Sequence, residues 1–160
     1  MKLIEVDRAI AACRAHLKAT GAYATEIEEI ETIMVRYLLA LIYGQYEQAV
    51  KRLLRDRARL TEDPEVSAYI RNSADRVYRG LQLRDLGDVL ALYGDDVKRQ
   101  FGDAVGQGTA MQTAWDSIRL NRHDFAHASK TNALTLGDIE FYYRQSNLVL
   151  DKFAAALGVQ

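Results

Sequence analysis

The segment Asn121-Arg122-His123-Asp124-Phe125-Ala126-His127 is the densest polar cluster set against apolar sequence in the chain, and it holds two of the three histidines. A histidine near its unperturbed pKa of about 6.5 can take a proton from an attacking hydroxyl or return one to a leaving group. An arginine can grip two phosphate oxygens and stabilise the extra charge of a pentacoordinate phosphorus. These residue types suit phosphodiester cleavage, with Arg122 and His127 as the central pair and Asn121, His123 and Asp124 around them.

Helix geometry attaches a condition. Five residues advance an ideal helix by about 500°, which leaves Arg122 and His127 about 140° apart around the axis. The pair must therefore lie where a helix begins or ends, or work across a two-fold axis with a copy in a second chain. His123 and His127 are four residues apart and share a face. The same residues could instead form a structural polar network at a helix junction. They could also offer two imidazoles to a metal, but a closed zinc site needs four ligands and a catalytic one usually three. Asp124 falls elsewhere on the helix, His16 is remote in sequence and Cys13 has no second cysteine. Neither a metal nor another cofactor is expected.

Glu47 follows the most apolar part of the chain, in Leu41-Ile42-Tyr43-Gly44-Gln45-Tyr46-Glu47. It is either a half-buried acid bonded to something specific, such as Arg122, or a solvated carboxylate paired with Lys51 one turn on. Lys51, Arg52, Arg55, Arg57 and Arg59 form a basic stripe. It could line an RNA path through phosphate contacts, or it could be plain solvated helix surface. The nine tyrosines fall mostly on apolar stripes, with Tyr142 and Tyr143 the ones that could face a partner or a stacked base.

The elements that must position these residues read as helices. A first runs from about Lys2 to Ala19 and stops at Gly21. A second, opened by a Thr25/Glu28 capping box, runs to about Leu60, with a possible bend at Gly44. From Ile33 to Tyr43 it is apolar on nearly every side, as a central helix of a bundle would be. Asp63-Pro64 starts a third helix, to about Arg79. A fourth covers Leu83 to Phe101, lightly interrupted at Gly87 and Gly94. The glycines between 102 and 108 make a loop, and a fifth helix runs from Ala110 into the Arg122–His127 segment. The last opens on a Thr135/Asp138 capping box and carries Ile139, Tyr143, Ser146, Leu150, Phe153 and Leu157 as one seam, closed by Gly158. No alternating-apolar pattern of strands is present. The expectation is one all-α domain spanning 1–160, an up-and-down bundle of about five to six helices.

Composition narrows the function classes. A net charge of −1 argues against a lysine-coated, non-specific nucleic-acid binder, but leaves local arginine clusters free to act. The charged residues of the N-terminal stretch are not those of a signal peptide. The longest apolar run, Tyr37 to Tyr43, is far below the roughly 20 residues a bilayer needs. A cytoplasmic protein with no membrane contact is expected.

Arg122-His123 followed by His127 resembles the signature of HEPN domains: an arginine, a polar residue, a few further residues and a histidine. The surroundings are similar too. A long helix carries a late glutamate (Tyr46-Glu47), and Thr135 and Asp138 open a final amphipathic helix after the motif. The resemblance spans most of the chain and is closest to the bacterial toxin-like branch. It implies a metal-independent RNA endonuclease, the toxin of a toxin–antitoxin or RNA-defence system, acting as a homodimer with both motifs in one composite cleft. The 2′-hydroxyl would attack the adjacent phosphorus, with His127 as acid/base, Arg122 on the phosphate and His123 orienting them. Ser129 stands where many such toxins have a modifiable tyrosine, which argues against an antitoxin protein that modifies that position. Two rivals remain: a catalytically silent HEPN module that binds a protein partner or a nucleotide, and a plain helical dimerisation domain.

Overall fold

A proline-free stretch of 36 residues, Ala24–Arg59, builds the longest helix of the chain, about 54 Å from end to end. Around this α2 the computed structural model, which describes residues 1–20, 24–77, 80–126 and 134–159, places six further helices and no strand among the described residues. They are α1 (Ile4–Ala19), α3 (Pro64–Val77), α4 (Leu83–Ala91), α5 (Asp95–Val105), α6 (Ala110–Ala126) and α7 (Leu136–Leu157). The all-α bundle expected from the sequence is observed, with seven helices among the described residues rather than five or six. No helix among the described residues is long and apolar enough to cross a membrane.

The extra helix comes from Gly94. Instead of one helix from Leu83 to Phe101, the chain turns at Leu92–Gly94, and Gly94 takes φ +129°, a conformation that costs a residue with a Cβ but not glycine. Asp95 and Asp96 then favour a fresh start by placing negative charge on the new helix N-terminus. At Gly44, by contrast, α2 runs on unbroken. Thr25 lies inside α2, which begins at Ala24, so it does not stand ahead of the helix as an N-cap. Gly21 lies outside the described residues.

Two helix starts follow their sequence signals. Asp63 Oδ1 accepts from the backbone N–H groups of Glu65 at 2.8 Å and Val66 at 3.2 Å, with Pro64 at the first helical position. At α7, Thr135 Oγ1 accepts from the Asp138 N–H, and Asp138 accepts from the Thr135 N–H at 2.9 Å. Glu31 of α2 takes the next donor, the Leu136 N–H, at 2.6 Å, so this terminus is fixed from two sides. The Thr135 backbone and hydroxyl hold the Asp138 carboxyl below the ordinary Asp range. Its stabilising effect is present above the unfolded value near 3.9 and is lost as pH falls through the lower folded value. Asp138→Ala should lower stability by about 1 kcal/mol in neutral urea melts, and the gap to wild type should close in acid.

The α7 seam is the core. Ile139, Tyr143, Ser146, Leu150, Phe153 and Leu157 are all buried, against α2, α5 and α6 of the same chain. Ser146 is tolerated there because Tyr46 Oη lies 2.6 Å away and Ser146 donates to the Tyr142 carbonyl at 2.5 Å. Tyr143 also lies in the core and donates to Asp7 at 3.0 Å, and Tyr142 packs against the core from its edge. Tyr143 is thus not a face for a partner or a base.

Burial pushes the phenols of Tyr46 and Tyr143 well up, the Asp7 carboxylate adding to the effect at Tyr143. The fold favours their neutral forms, so that stabilisation is complete below about pH 10 and drains away as the unfolded chain ionises above it. Stability should fall steeply past about pH 10, and less steeply in Tyr46→Phe, as thermal midpoints across that range would record.

One side of α2 departs from expectation. Val35, Leu38, Leu39, Ile42 and Tyr46 are buried, but Ile33 and Tyr37 are 66% and 57% exposed. The packed helices cover only one side of this stretch, so it is not apolar-buried all round.

Candidate functional site

Arg122 leaves the last turns of α6 and lays its guanidinium over the ring of Tyr43, 4.9 Å from the centroid. That contact joins the motif to the middle of α2. Beside it is an open cleft of about 290 Å³ lined by Tyr43, Asp85, Arg119, Arg122 and His123, with the backbone around Leu81 as its floor. On a helix, positions 119, 122 and 123 fall within about 100° of one another, so α6 presents all three side chains on one face. Position 124 lies about 140° from position 119 on the same wheel, and Asp124 is half-buried outside this lining. Asn121 turns back on its own helix, donating to the Ser117 carbonyl at 2.8 Å. The structure therefore brings Arg122 and His123 together and leaves Asn121 and Asp124 apart from them. His127 lies outside the described residues.

Glu47 is half-buried one turn beyond Tyr43. It forms no ion pair with Arg122; the two instead act on Tyr43. Burial raises the Tyr43 pKa first, the Glu47 carboxylate adds to the rise, and the Arg122 and Arg119 guanidiniums pull against it. The phenol therefore stays protonated through the neutral range and can donate a hydrogen bond, while its ring serves as a platform for Arg122.

A buried chain of contacts holds the cleft from behind. Trp115, one turn before Arg119 on α6, donates from Nε1 to the Leu81 carbonyl at 2.6 Å. Its indole stacks on Tyr46 with centroids 4.8 Å apart and planes within 5°. Tyr46 in turn meets Ser146 of α7. The floor at Leu81, the wall at α6 and the platform on α2 are thus tied to the core through Trp115.

Sequence reasoning did not single out Tyr43, Asp85, Arg119 or Trp115. Two signals were available: Arg119 and Arg122 are three residues apart, and Tyr43 and Glu47 four, each pair on one helix face. The basic stripe of α2 is elsewhere. Arg52, Arg55 and Arg59 border a separate groove with Leu3 and Gln48, where Arg59 pairs with Asp56 at 2.9 Å. Among the described residues no three His, Cys, Asp or Glu side chains gather as metal ligands. Cys13 is buried in the core and its thiol pKa is raised by that burial, so it is not a reactive thiolate.

What the cleft can do chemically follows from its donors. Arg119, Arg122, Tyr43 and His123 line one small volume with Asp85, whose carboxylate lies 4.0 Å from Arg84 Nε. That set suits a bound oxyanion beside a hydrogen-bond donor of the same ligand. Comparison with known proteins finds no matching family model, no matching curated protein and no matching solved structure.

Proposed function

We propose that the chain is a metal-independent RNA endonuclease of HEPN type, with this cleft as the place where the scissile phosphodiester sits. The observation that carries the reading is Arg122 held over Tyr43 at the mouth of a polar cleft, with His123 beside it. His127 is the next residue in sequence after Ala126, the last residue of α6. In this reading the ribose 2′-hydroxyl attacks the adjacent phosphorus and the bond to the 5′-oxygen breaks. His127 moves the proton from the nucleophile side to the leaving oxygen, and Arg122 stabilises the charge that builds on phosphorus. The products are a 2′,3′-cyclic phosphate and a free 5′-hydroxyl.

A homodimer with both motifs in one composite site belongs to the same proposal. Ile33 and Tyr37 support it, because they give α2 an exposed apolar face of the kind that marks interaction surfaces. A toxin role with a cognate antitoxin protein, and a cytoplasmic location, follow from the family resemblance of the motif alone. The test is cleavage of a structured RNA pool by purified protein in excess EDTA. Cleavage with cyclic phosphate ends, lost in His127→Ala, is the expected result. A requirement for a divalent ion, or no cleavage by well-folded protein at any enzyme excess, would reject the reading, the latter in favour of a silent binding module.

A further inference from the structure

Arg119 carries an unusual feature for a residue at the edge of a cleft. Its Nε is buried and has no hydrogen-bond partner, the nearest carboxylate oxygen being Asp116 Oδ1 at 3.6 Å, too far for a hydrogen bond. Buried donors are nearly always paired; with its Nε shut away from solvent, Arg119 can meet a ligand only through the part of its side chain that lines the cleft. Asp116 sits one turn back on the same helix, where it holds the guanidinium by charge without using its donor.

Arg119 and Arg122 are three residues apart on α6 and line the same cleft, and the two guanidiniums act on the same phenol of Tyr43. Arg122 is fixed from one side by stacking on that ring, and stacking leaves a guanidinium's in-plane N–H donors available. Asp85, the acid in the cleft, has Arg84 nearby to offset its charge. Asp116 offsets part of the Arg119 charge as Arg84 offsets Asp85, and an anion in the cleft would meet the two α6 arginines together.

We propose that Arg119 is a second phosphate-binding residue of this cleft, so that one RNA phosphodiester is held between the Arg119 and Arg122 guanidiniums. This rests on the reading of the cleft as an RNA site, but it concerns binding and not the proton transfers assigned to His127. The part of Arg119 that lines the cleft supplies one contact and Arg122 supplies the second.

The experiment measures binding and cleavage separately. A 2′-O-methyl RNA oligonucleotide, which has no 2′-hydroxyl to attack, is titrated by fluorescence anisotropy against wild type, Arg119→Gln and Arg119→Lys over a range of salt. Arg119→Gln should bind about tenfold or more weakly, as loss of a charge-assisted contact implies. Its log–log salt slope should be shallower by about 0.7, the amount expected for one lost phosphate contact on a single strand. Arg119→Lys should restore the slope but only part of the affinity, since lysine keeps the charge and lacks the planar fork of donors. Thermal melting of each variant separates binding from folding. Equal affinity and slope in wild type and Arg119→Gln would overturn the inference even if RNA is cleaved. Binding that depends on Arg119 in a protein that cleaves nothing would uphold the inference and reject the ribonuclease reading. No measurable binding by wild type would overturn both.

Discussion

Trp115→Ala is expected to destabilise the fold by about 3–5 kcal/mol, the largest stability effect of any single substitution near the cleft. The indole is 1% exposed and stacked on Tyr46, so truncation opens a cavity between α2 and α6. It also removes the donor at 2.6 Å from the Leu81 carbonyl, leaving that buried acceptor unpaired. Trp115→Phe separates the two contributions, because it retains an aromatic face for Tyr46 and lacks the N–H. Urea melts should rank wild type above Trp115→Phe and Trp115→Phe well above Trp115→Ala. Since Leu81 floors the cleft, Trp115→Phe should also weaken RNA binding while remaining folded. Equal stability of wild type and Trp115→Ala would mean that Trp115 does not tie the cleft to the core.

The second large effect is on chemistry. Arg122→Ala is expected to slow RNA cleavage by about 10²–10³-fold, the cost typical of deleting one donor aimed at developing transition-state charge. Arg122 is exposed and its ring contact is worth only about 0.5–1 kcal/mol in such a position, so the variant should remain folded. The loss should fall mainly on kcat, because the added charge on phosphorus exists only in the transition state. Arg122→Lys should recover only part of the rate, since an ammonium neither stacks flat on Tyr43 nor forks across two oxygens. Tyr43→Leu, which removes the platform but leaves the guanidinium, should give a smaller loss of the same kind.

Much of the fold was legible because its signals are local. The α7 seam and its capping box, and the Asp63-Pro64 start of α3, each rest on spacing within one or two turns, and those spacings hold in the structure. The break at Gly94 was less legible. A glycine inside apolar periodicity is compatible with a continuous helix, and nothing in the spacing shows that Gly94 takes the positive φ that precedes α5. The exposure of Ile33 and Tyr37 was hidden for a related reason: an apolar stretch says that burial is favourable, not which sides neighbouring helices will cover.

The site divides along the same line. Arg122 and His123 stood out in one continuous segment, and they do share a cleft. Tyr43, Arg119 and Trp115 did not stand out. Tyr43 lies within the apolar run of α2, where an aromatic residue reads as core. Arg119 is one arginine among many, and its distinguishing feature is an unpaired Nε visible only after packing. Glu47 bears on Tyr43, one turn back on the same face of α2, and the apolar run around Tyr43 hid a link that the four-residue spacing carried. Asn121 shows the converse, since its place in a polar motif does not keep its side chain from folding back onto Ser117.

In the proposed reading Arg122, seated on Tyr43, stabilises a phosphodiester undergoing cleavage in this cleft. Single-turnover cleavage of structured RNA in EDTA, by wild type and Arg122→Ala at matched, saturating enzyme, tests it most directly. A rate lower by about 10²–10³ in the variant, with unchanged thermal stability and cyclic phosphate ends on the residual product, is the predicted result. Equal rates for the two proteins would place the chemistry elsewhere and contradict a catalytic role for Arg122.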